Sequence, residues 1–162
     1  MKYNRFEDLP VWQDAIELAV RVFAFTTRPV FKRYRGVQDQ IERSSVSVSN
    51  NIAEGFERGT TPELLTFLYI SRGSAGETRS VLHLCDRLPG FADLKFEISD
   101  ISDLRSRAES ISPQLRGWAD SLQNSDIKGQ RYLTDKSRRL EKQARERDEF
   151  LKELEQIRNR KR

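Results

Sequence analysis

The sequence predicts an all-α protein, an antiparallel up-down four-helix bundle with a C-terminal charged helical extension. Apolar residues recur at steps of three and four over four long segments, and no stretch alternates apolar with polar residues. Proline, glycine and capping residues separate the segments, so turns are expected near residues 28–35, 59–61, 89–95 and 125–131. Helices of about 18 to 29 residues joined by short turns pack as antiparallel neighbours. The bundle is assigned to residues 1–124 and the extension to residues 125–162.

The first predicted helix runs from about residue 10 to residue 27. Pro10 lies in its first turn, where a missing N–H costs nothing. Its apolar residues form two adjoining rows, which are Trp12, Ile16, Ala19, Phe23 and Ala15, Leu18, Val22, Phe25. This helix is therefore expected to be buried on more than one side.

The second predicted helix, residues 36–58, combines an apolar stripe with small residues. Ser44, Ser45 and Gly55 fill the gaps between its apolar positions. Small residues in such a stripe let a neighbouring helix approach closely, so the pattern predicts a tight helix pair.

The third and fourth predicted helices differ in how much apolar surface they carry. The third, residues 62–88, again has two apolar rows, and one of them needs a partner outside the bundle. Self-association is the economical explanation for the first and third helices. The fourth, residues 96–124, has one narrow apolar seam and contains Pro113, which should kink the helix or cost about 3 kcal/mol.

Cysteine and histidine counts exclude several classes of site. With one Cys and one His, the chain cannot form an internal disulfide, a multi-cysteine zinc site or the paired Glu-x-x-His motifs of a di-iron bundle. Cys85 is interpreted as a core residue and His83 as a packed or surface group. No catalytic residue, cofactor or metal ligand is predicted, and the absence of an apolar signal segment at the N-terminus favours a cytoplasmic protein.

Positive charge is concentrated in the last fifth of the chain. Residues 1–130 hold 17 Lys and Arg against 18 Asp and Glu, whereas residues 131–162 hold 12 against 7. A near-neutral domain with a basic arm favours a polyanionic partner, although a solvated, salt-bridged helix is the alternative. The candidate nucleic-acid contacts are Arg138, Arg139, Lys142, Arg145, Arg158, Arg160, Lys161 and Arg162 in the arm, followed by Arg43, Arg58 and Arg72 on the bundle.

Polar residues also lie beside the apolar stripes of the two central helices. Asn51, Glu54 and Arg58 share one helix face, as do Ser74 and Glu77 on the next helix. We interpret these five residues as a buried hydrogen-bonded network that fixes helix register, with a ligand site as the alternative.

Two runs in the central helices and one at the start of the first resemble a known family. Residues 40–58 include Asn51-Ile52-Ala53-Glu54-Gly55, residues 67–74 include Arg72-Gly73-Ser74, and residues 6–15 read Phe-Glu-Asp-Leu-Pro-Val-Trp-Gln-Asp-Ala. The chain resembles the four-helix-bundle family of 23S rRNA intervening-sequence proteins, whose relatives include the accessory variability determinant of diversity-generating retroelements. The resemblance implies a closed homo-oligomer, a pentameric ring, without catalytic activity. In the retroelement branch it further implies a reverse-transcriptase partner and binding of RNA or DNA.

Two functions from different classes follow. The first is a non-catalytic, oligomeric, nucleic-acid-binding accessory protein, and the second is a protein-interaction scaffold whose charged tail only keeps it soluble. Binding to RNA that weakens with salt distinguishes them, because phosphate contacts release counterions.

Overall fold

The computed structural model describes residues 3, 5–91, 98–125, 143, 146, 147 and 149–152. Its long helices are α1 (Pro10–Thr26), α2 (Arg35–Glu57), α3 (Thr61–Cys85) and α4 (Ile98–Gln123). Two short 3-10 turns, Phe6–Asp8 and Pro29–Arg33, precede α1 and α2. This part of the chain contains no β-strand, and the predicted all-α fold class is confirmed.

The chain divides into two compact units, Met1–Gly129 and Gln130–Arg162. The first unit contains the four long helices. In the second unit, the residues that the structure describes are helical. The rest of the charged helical extension expected over residues 125–162 lies outside the described residues, apart from Ser125.

Neighbouring helices in the first unit run antiparallel. Between α1 and α4, Gln114 donates a hydrogen bond to Asp14, and Arg21 contacts Asp103. From Asp14 to Arg21 the residue number rises along α1, whereas the contacting residue on α4 changes from Gln114 to Asp103, so its number falls. The same relation joins α2 to α3, where Ser44 contacts Thr78 and Ser47 contacts Ser74. The up-down order predicted from the short turns is therefore present in the structure.

The core lies along the axis between the four helices. Each fully buried aliphatic side chain contributes about 1.5–3 kcal/mol relative to exposure to water. Among the largest of these side chains are Leu18, Ile41, Ile52, Leu64, Leu68, Leu82, Ile101, Leu104, Ile111 and Leu115.

The closest helix pair is α2 with α3, as the small residues of α2 predict. A Cβ atom on Gly55 would lie 2.6 Å from the Cβ of Phe67, so only glycine fits at this crossing. Buried hydroxyls bridge the same pair, with Ser71 Oγ donating to the Val48 carbonyl at 2.8 Å. Hydrogen bonds therefore satisfy polar side chains that the close approach removes from water.

Local sequence signals explain the ends of these helices. Thr60 caps α3, its hydroxyl accepting a hydrogen bond from the Glu63 N–H at 3.4 Å, and Pro62 occupies the first turn. In α4 the helix continues through Pro113 up to Gln123. Proline has no backbone N–H, so Pro113 cannot donate to the Glu109 carbonyl one turn earlier. Both residues lie on the exposed side of α4, where water can solvate that carbonyl.

Candidate nucleic-acid interface

The basic residues predicted in the C-terminal arm lie outside the described residues. The structure therefore gives no position for Arg138, Arg139, Lys142, Arg145, Arg158, Arg160, Lys161 or Arg162. Their role remains a prediction from the charge distribution of the sequence.

The three arginines predicted on the bundle lie apart from one another. Arg43 is exposed in the middle of α2 and donates to the Asp39 carbonyl and the Gln40 side chain. Arg58, at the end of α2, pairs with Glu54 at 2.6 Å and lies over the ring of Phe67. Arg72 on α3 reaches across to Ser112 of α4 at 3.2 Å. These three positions do not form a single basic surface.

A cluster of cations instead lies at the end of the bundle where α1 meets α2. Lys32, Arg33, Arg35 and Arg87 are all exposed. Within the described part of the chain none of the four has an ion-pair partner. We call these four residues the cationic end.

A buried aromatic cluster holds the two segments of the cationic end together. The ring of Phe31 packs edge-to-face on Phe25 and Phe91, with centroid distances of 5.1 Å to each. Tyr34 donates a hydrogen bond from its hydroxyl to the Pro89 carbonyl at 3.0 Å. The turn at residues 29–33 is thereby anchored beside residues 86–91, and its polar side chains face solvent.

Charge at the opposite end of the bundle has the other sign. The exposed or half-buried acids there are Glu7, Asp8, Glu54, Glu57 and Glu63. Arg5 pairs there with Glu7, and Arg58 pairs with Glu54 and lies 3.9 Å from Glu63. The pairing raises the pKa of each arginine and lowers the pKa of Glu7. The two ends of the described bundle therefore carry charge of opposite sign, although the net charge of the bundle is close to zero.

Acids adjoin the cationic end too, and the exposed Asp39, one turn after Arg35, has no ion-pair partner among the described residues, whereas two other acids are engaged. Asp100 pairs with Arg28, and Asp86 pairs with Arg105 at 2.6 Å. Residues 92–97, which contain two acids and one lysine, lie outside the described residues. The run Lys32-Arg33-Tyr34-Arg35 was the sequence signal for this surface. The charge count over residues 1–130 did not reveal this cationic surface, because acidic residues elsewhere in the bundle offset its positive charge in the total.

The predicted polar network is smaller in the structure than in the sequence. Asn51 donates to the carbonyl and hydroxyl of Ser47, and the Ser47 hydroxyl lies 2.9 Å from that of Ser74. Glu54 and Arg58, in contrast, form an exposed pair one helical turn apart, with side chains 51% and 47% exposed.

Glu77 lies on the same interface but separately from this set. It is exposed and accepts a hydrogen bond from Gln40. The expected burial therefore does not hold for Glu54, Arg58 or Glu77 in the single chain. These side chains are long enough to reach water from the edge of the helix interface, whereas Ser47 and Ser74 are too short to do so.

Cys85 and His83 have different environments. Cys85 is fully buried, and burial raises the pKa of its thiol to about 12, as expected for a core residue. His83 is exposed, with its Nδ1 atom 3.3 Å from Arg105.

The described residues contain no cluster of three His, Cys, Asp or Glu side chains that could hold a metal ion. Nor, over the same residues, does any helix combine the length and apolar character needed to cross a membrane.

Comparison with known proteins agrees with the fold. The chain is similar to a protein of unknown function from the S23 ribosomal protein family of Bacteroides thetaiotaomicron, whose crystal structure superposes with a TM-score of 0.57. The two share 21% sequence identity, and the match covers 67% of this chain and 97% of that one. No curated protein matches the chain. The family model for 23S rRNA-intervening sequence proteins matches residues 7–117. These residues include all of α1, α2 and α3 and most of α4. The chain therefore belongs to the 23S rRNA-intervening sequence protein family.

Proposed function

We propose that this protein is a non-catalytic, homo-oligomeric accessory protein that binds RNA or DNA. The observation that carries the proposal is the cationic end, where four exposed cations lack acidic partners among the described residues. Unpaired cations neutralise phosphates without first giving up an ion pair, so they bind a polyanion at lower cost. The basic C-terminal arm would add further contacts of the same kind.

Binding of this type would follow charge and shape more than base identity. The cationic end offers guanidinium and ammonium groups, which contact phosphate oxygens. Tyr34, its nearest aromatic residue, is half-buried and engaged with the Pro89 carbonyl and the Arg33 guanidinium. The described residues of this surface offer no base-stacking platform of exposed aromatic rings, and base readout is accordingly not part of the proposal.

Self-association is supported by apolar side chains that the single chain leaves in water. Ile16, Val20 and Phe23 follow one face of α1 and are 36%, 59% and 47% exposed. On α3, Tyr69, Ile70 and Leu84 are exposed to a similar degree. Burying such faces against further copies would remove them from water, and it would place several cationic ends in one particle. The family resemblance adds the proposal of a pentamer, and its retroelement branch adds the proposal of a reverse-transcriptase partner.

These apolar faces also favour the second candidate function, a protein-interaction scaffold. A scaffold would use them for partner proteins, and its cations would serve only solubility. The two functions differ in the salt dependence of RNA binding, because each phosphate contact to a single strand contributes roughly 0.7 to the slope of log K against log salt.

The experiment measures RNA binding at several salt concentrations for three charge variants of the full chain. The first changes Lys32, Arg33, Arg35 and Arg87 to Gln, and the second changes Arg158, Arg160, Lys161 and Arg162 to Gln. The control removes the same charge from ion-paired sites, by changing Arg5, Arg21, Arg107 and Arg116 to Gln.

A nucleic-acid-binding protein should lose affinity and salt slope in the first two variants, while the control keeps its slope. If the first two variants behave like the control, the cations act through net charge alone and the proposed interface is wrong. If the unmodified protein shows no salt-dependent binding, the scaffold function is favoured instead.

A further inference from the structure

A cleft on the outer surface of the bundle lies between α3 and α4. Its volume is about 510 Å³, and its lining residues are Gly76, Arg79, Ser80, His83, Arg105 and Glu109. Gly76 contributes no side chain to the cleft, and a Cβ atom at this position would meet nothing within 4 Å. A mid-helix glycine costs about 1 kcal/mol relative to alanine, and the packing of the chain does not require one here.

Hydrogen-bond donors on the α3 wall of this cleft are unused. The carboxylate nearest to Arg79 is that of Glu109, at 3.7 Å, which is beyond hydrogen-bond distance. Neither the Arg79 guanidinium nor the Ser80 hydroxyl hydrogen-bonds to a described residue. The Glu109 side chain is 70% exposed and is free to turn toward solvent. Arg79 can therefore accept a new anionic partner without breaking a strong contact.

The donors on the α4 side are held in place. Arg105 donates to Asp86 at 2.6 Å, and the same nitrogen lies 3.3 Å from Nδ1 of His83. Because arginine has no acceptor atom, a hydrogen bond between these two groups has Arg105 as the donor and Nδ1 of His83 as the acceptor. Asp86 thus orients Arg105, and Arg105 orients His83. A pre-oriented guanidinium loses less conformational entropy when it binds a ligand.

We infer that this cleft binds a phosphate group. Guanidinium groups on both walls can each pair two donors with a phosphate, and the Ser80 hydroxyl supplies another donor. A tetrahedral phosphate has oxygens that point toward both walls at once, whereas the two oxygens of a carboxylate lie in one plane. The phosphate can come from a free phosphate ester or from a nucleic-acid backbone. This inference does not depend on the proposed function, because the site lies on different residues from the cationic end.

Inorganic phosphate is the first probe, and His83 is the reporter. His83 is the only histidine in the chain, so the full-length protein gives one set of imidazole proton resonances. Phosphate is added at constant pH and constant ionic strength, with sodium chloride as the ionic control. The expected result is a saturable shift of the His83 resonances that chloride does not produce.

Two variants test the cleft from different directions. Arg79→Gln removes the guanidinium that has the weakest internal contact, and it should weaken phosphate binding about tenfold or more. Gly76→Leu places a side chain on the cleft wall, where a Cβ atom meets nothing within 4 Å, and should abolish the shift. Their controls are Arg116→Gln, whose guanidinium pairs with Asp120 outside the cleft, and Gly73→Leu, at an equally open glycine that does not line it. Circular dichroism checks that each variant is folded.

A shift no larger than that from chloride would overturn the inference, and so would unchanged binding in both Arg79→Gln and Gly76→Leu. A second titration in the presence of an RNA oligonucleotide distinguishes the sources of phosphate. Competition by RNA supports a backbone phosphate, and its absence supports a free phosphate ester. Since the first titration contains no RNA, its result stands even if the variants of the cationic end disprove RNA binding there.

Discussion

Gly55 of α2 lies so close to Phe67 of α3 that a Cβ on Gly55 would come within 2.6 Å of the Phe67 Cβ. The Leu64 side chain would be only 3.1 Å from the same added atom. A Cβ cannot rotate away from such a contact, so any other residue forces the two helices apart. This single crossing sets how closely α2 and α3 can pack. The close packing in turn permits the hydroxyl contacts between the two helices.

Gly55→Ala should therefore destabilise the protein. The expected loss is about 1–3 kcal/mol in the free energy of unfolding, because an overpacked crossing costs more than the helix gains from alanine. Chemical denaturation followed by circular dichroism measures it. Gly73→Ala is the matched control, since its Cβ meets nothing within 4 Å and should raise stability by about 1 kcal/mol. Equal effects of the two substitutions would show that α2 and α3 are not in close contact.

Thr78→Val should cost about 1 kcal/mol by removing a buried hydroxyl without changing the shape of the side chain. Thr78 Oγ1 lies 2.9 Å from both the Ser44 hydroxyl and the Ser74 carbonyl. Valine and threonine have similar helix propensities, and the bond to the Ser74 carbonyl lies within α3, so the loss in excess of a control reports the hydrogen bond to Ser44 of α2. Thr66→Val on the exposed side of α3 is the control, because its hydroxyl bonds only within the helix. A larger loss at Thr66 than at Thr78 would contradict this assignment.

Glu54→Ala should leave the melting temperature of the single chain almost unchanged. The carboxylate pairs with Arg58 at the surface, where solvent screens the interaction. Analytical ultracentrifugation of the same variant then tests assembly. A dissociated oligomer with a stable fold would place Glu54 in a contact between copies, whereas a large drop in melting temperature would restore the buried network that the sequence predicts.

Cys85 should resist thiol reagents at neutral pH. Burial raises the pKa of its thiol to about 12, so the reactive thiolate is scarce in the folded protein. The raised pKa also stabilises the fold below the thiol's ordinary value near 9, and this contribution is lost as the pH rises toward 12. Labelling with iodoacetamide in the presence and absence of denaturant checks the prediction. Rapid labelling of the native protein would mean that α3 opens near its C-terminal end.

The sequence by itself determined the four helices and most of their ends. The apolar steps of three and four and the signals at Pro10, Thr60 and Pro62 depend only on neighbouring residues along the chain, and such local preferences do not require a fold. The tight α2–α3 pair was also predictable, because Ser44, Ser45 and Gly55 interrupt an apolar stripe with residues too small to block a neighbour.

Only the tertiary structure decided which polar residues share an environment. Helical spacing places Asn51, Glu54 and Arg58 on one face and puts Ser47 one turn before Asn51, but only the packing against α3 brings the Ser74 hydroxyl to Ser47 while Glu54 and Arg58 reach water. The cationic end joins Lys32 and Arg35 to Arg87 across 52 residues of sequence, through the packing of Phe31 on Phe91. Burial and charge clustering depend on contacts between segments distant in sequence, and these contacts exist only after the helices have packed.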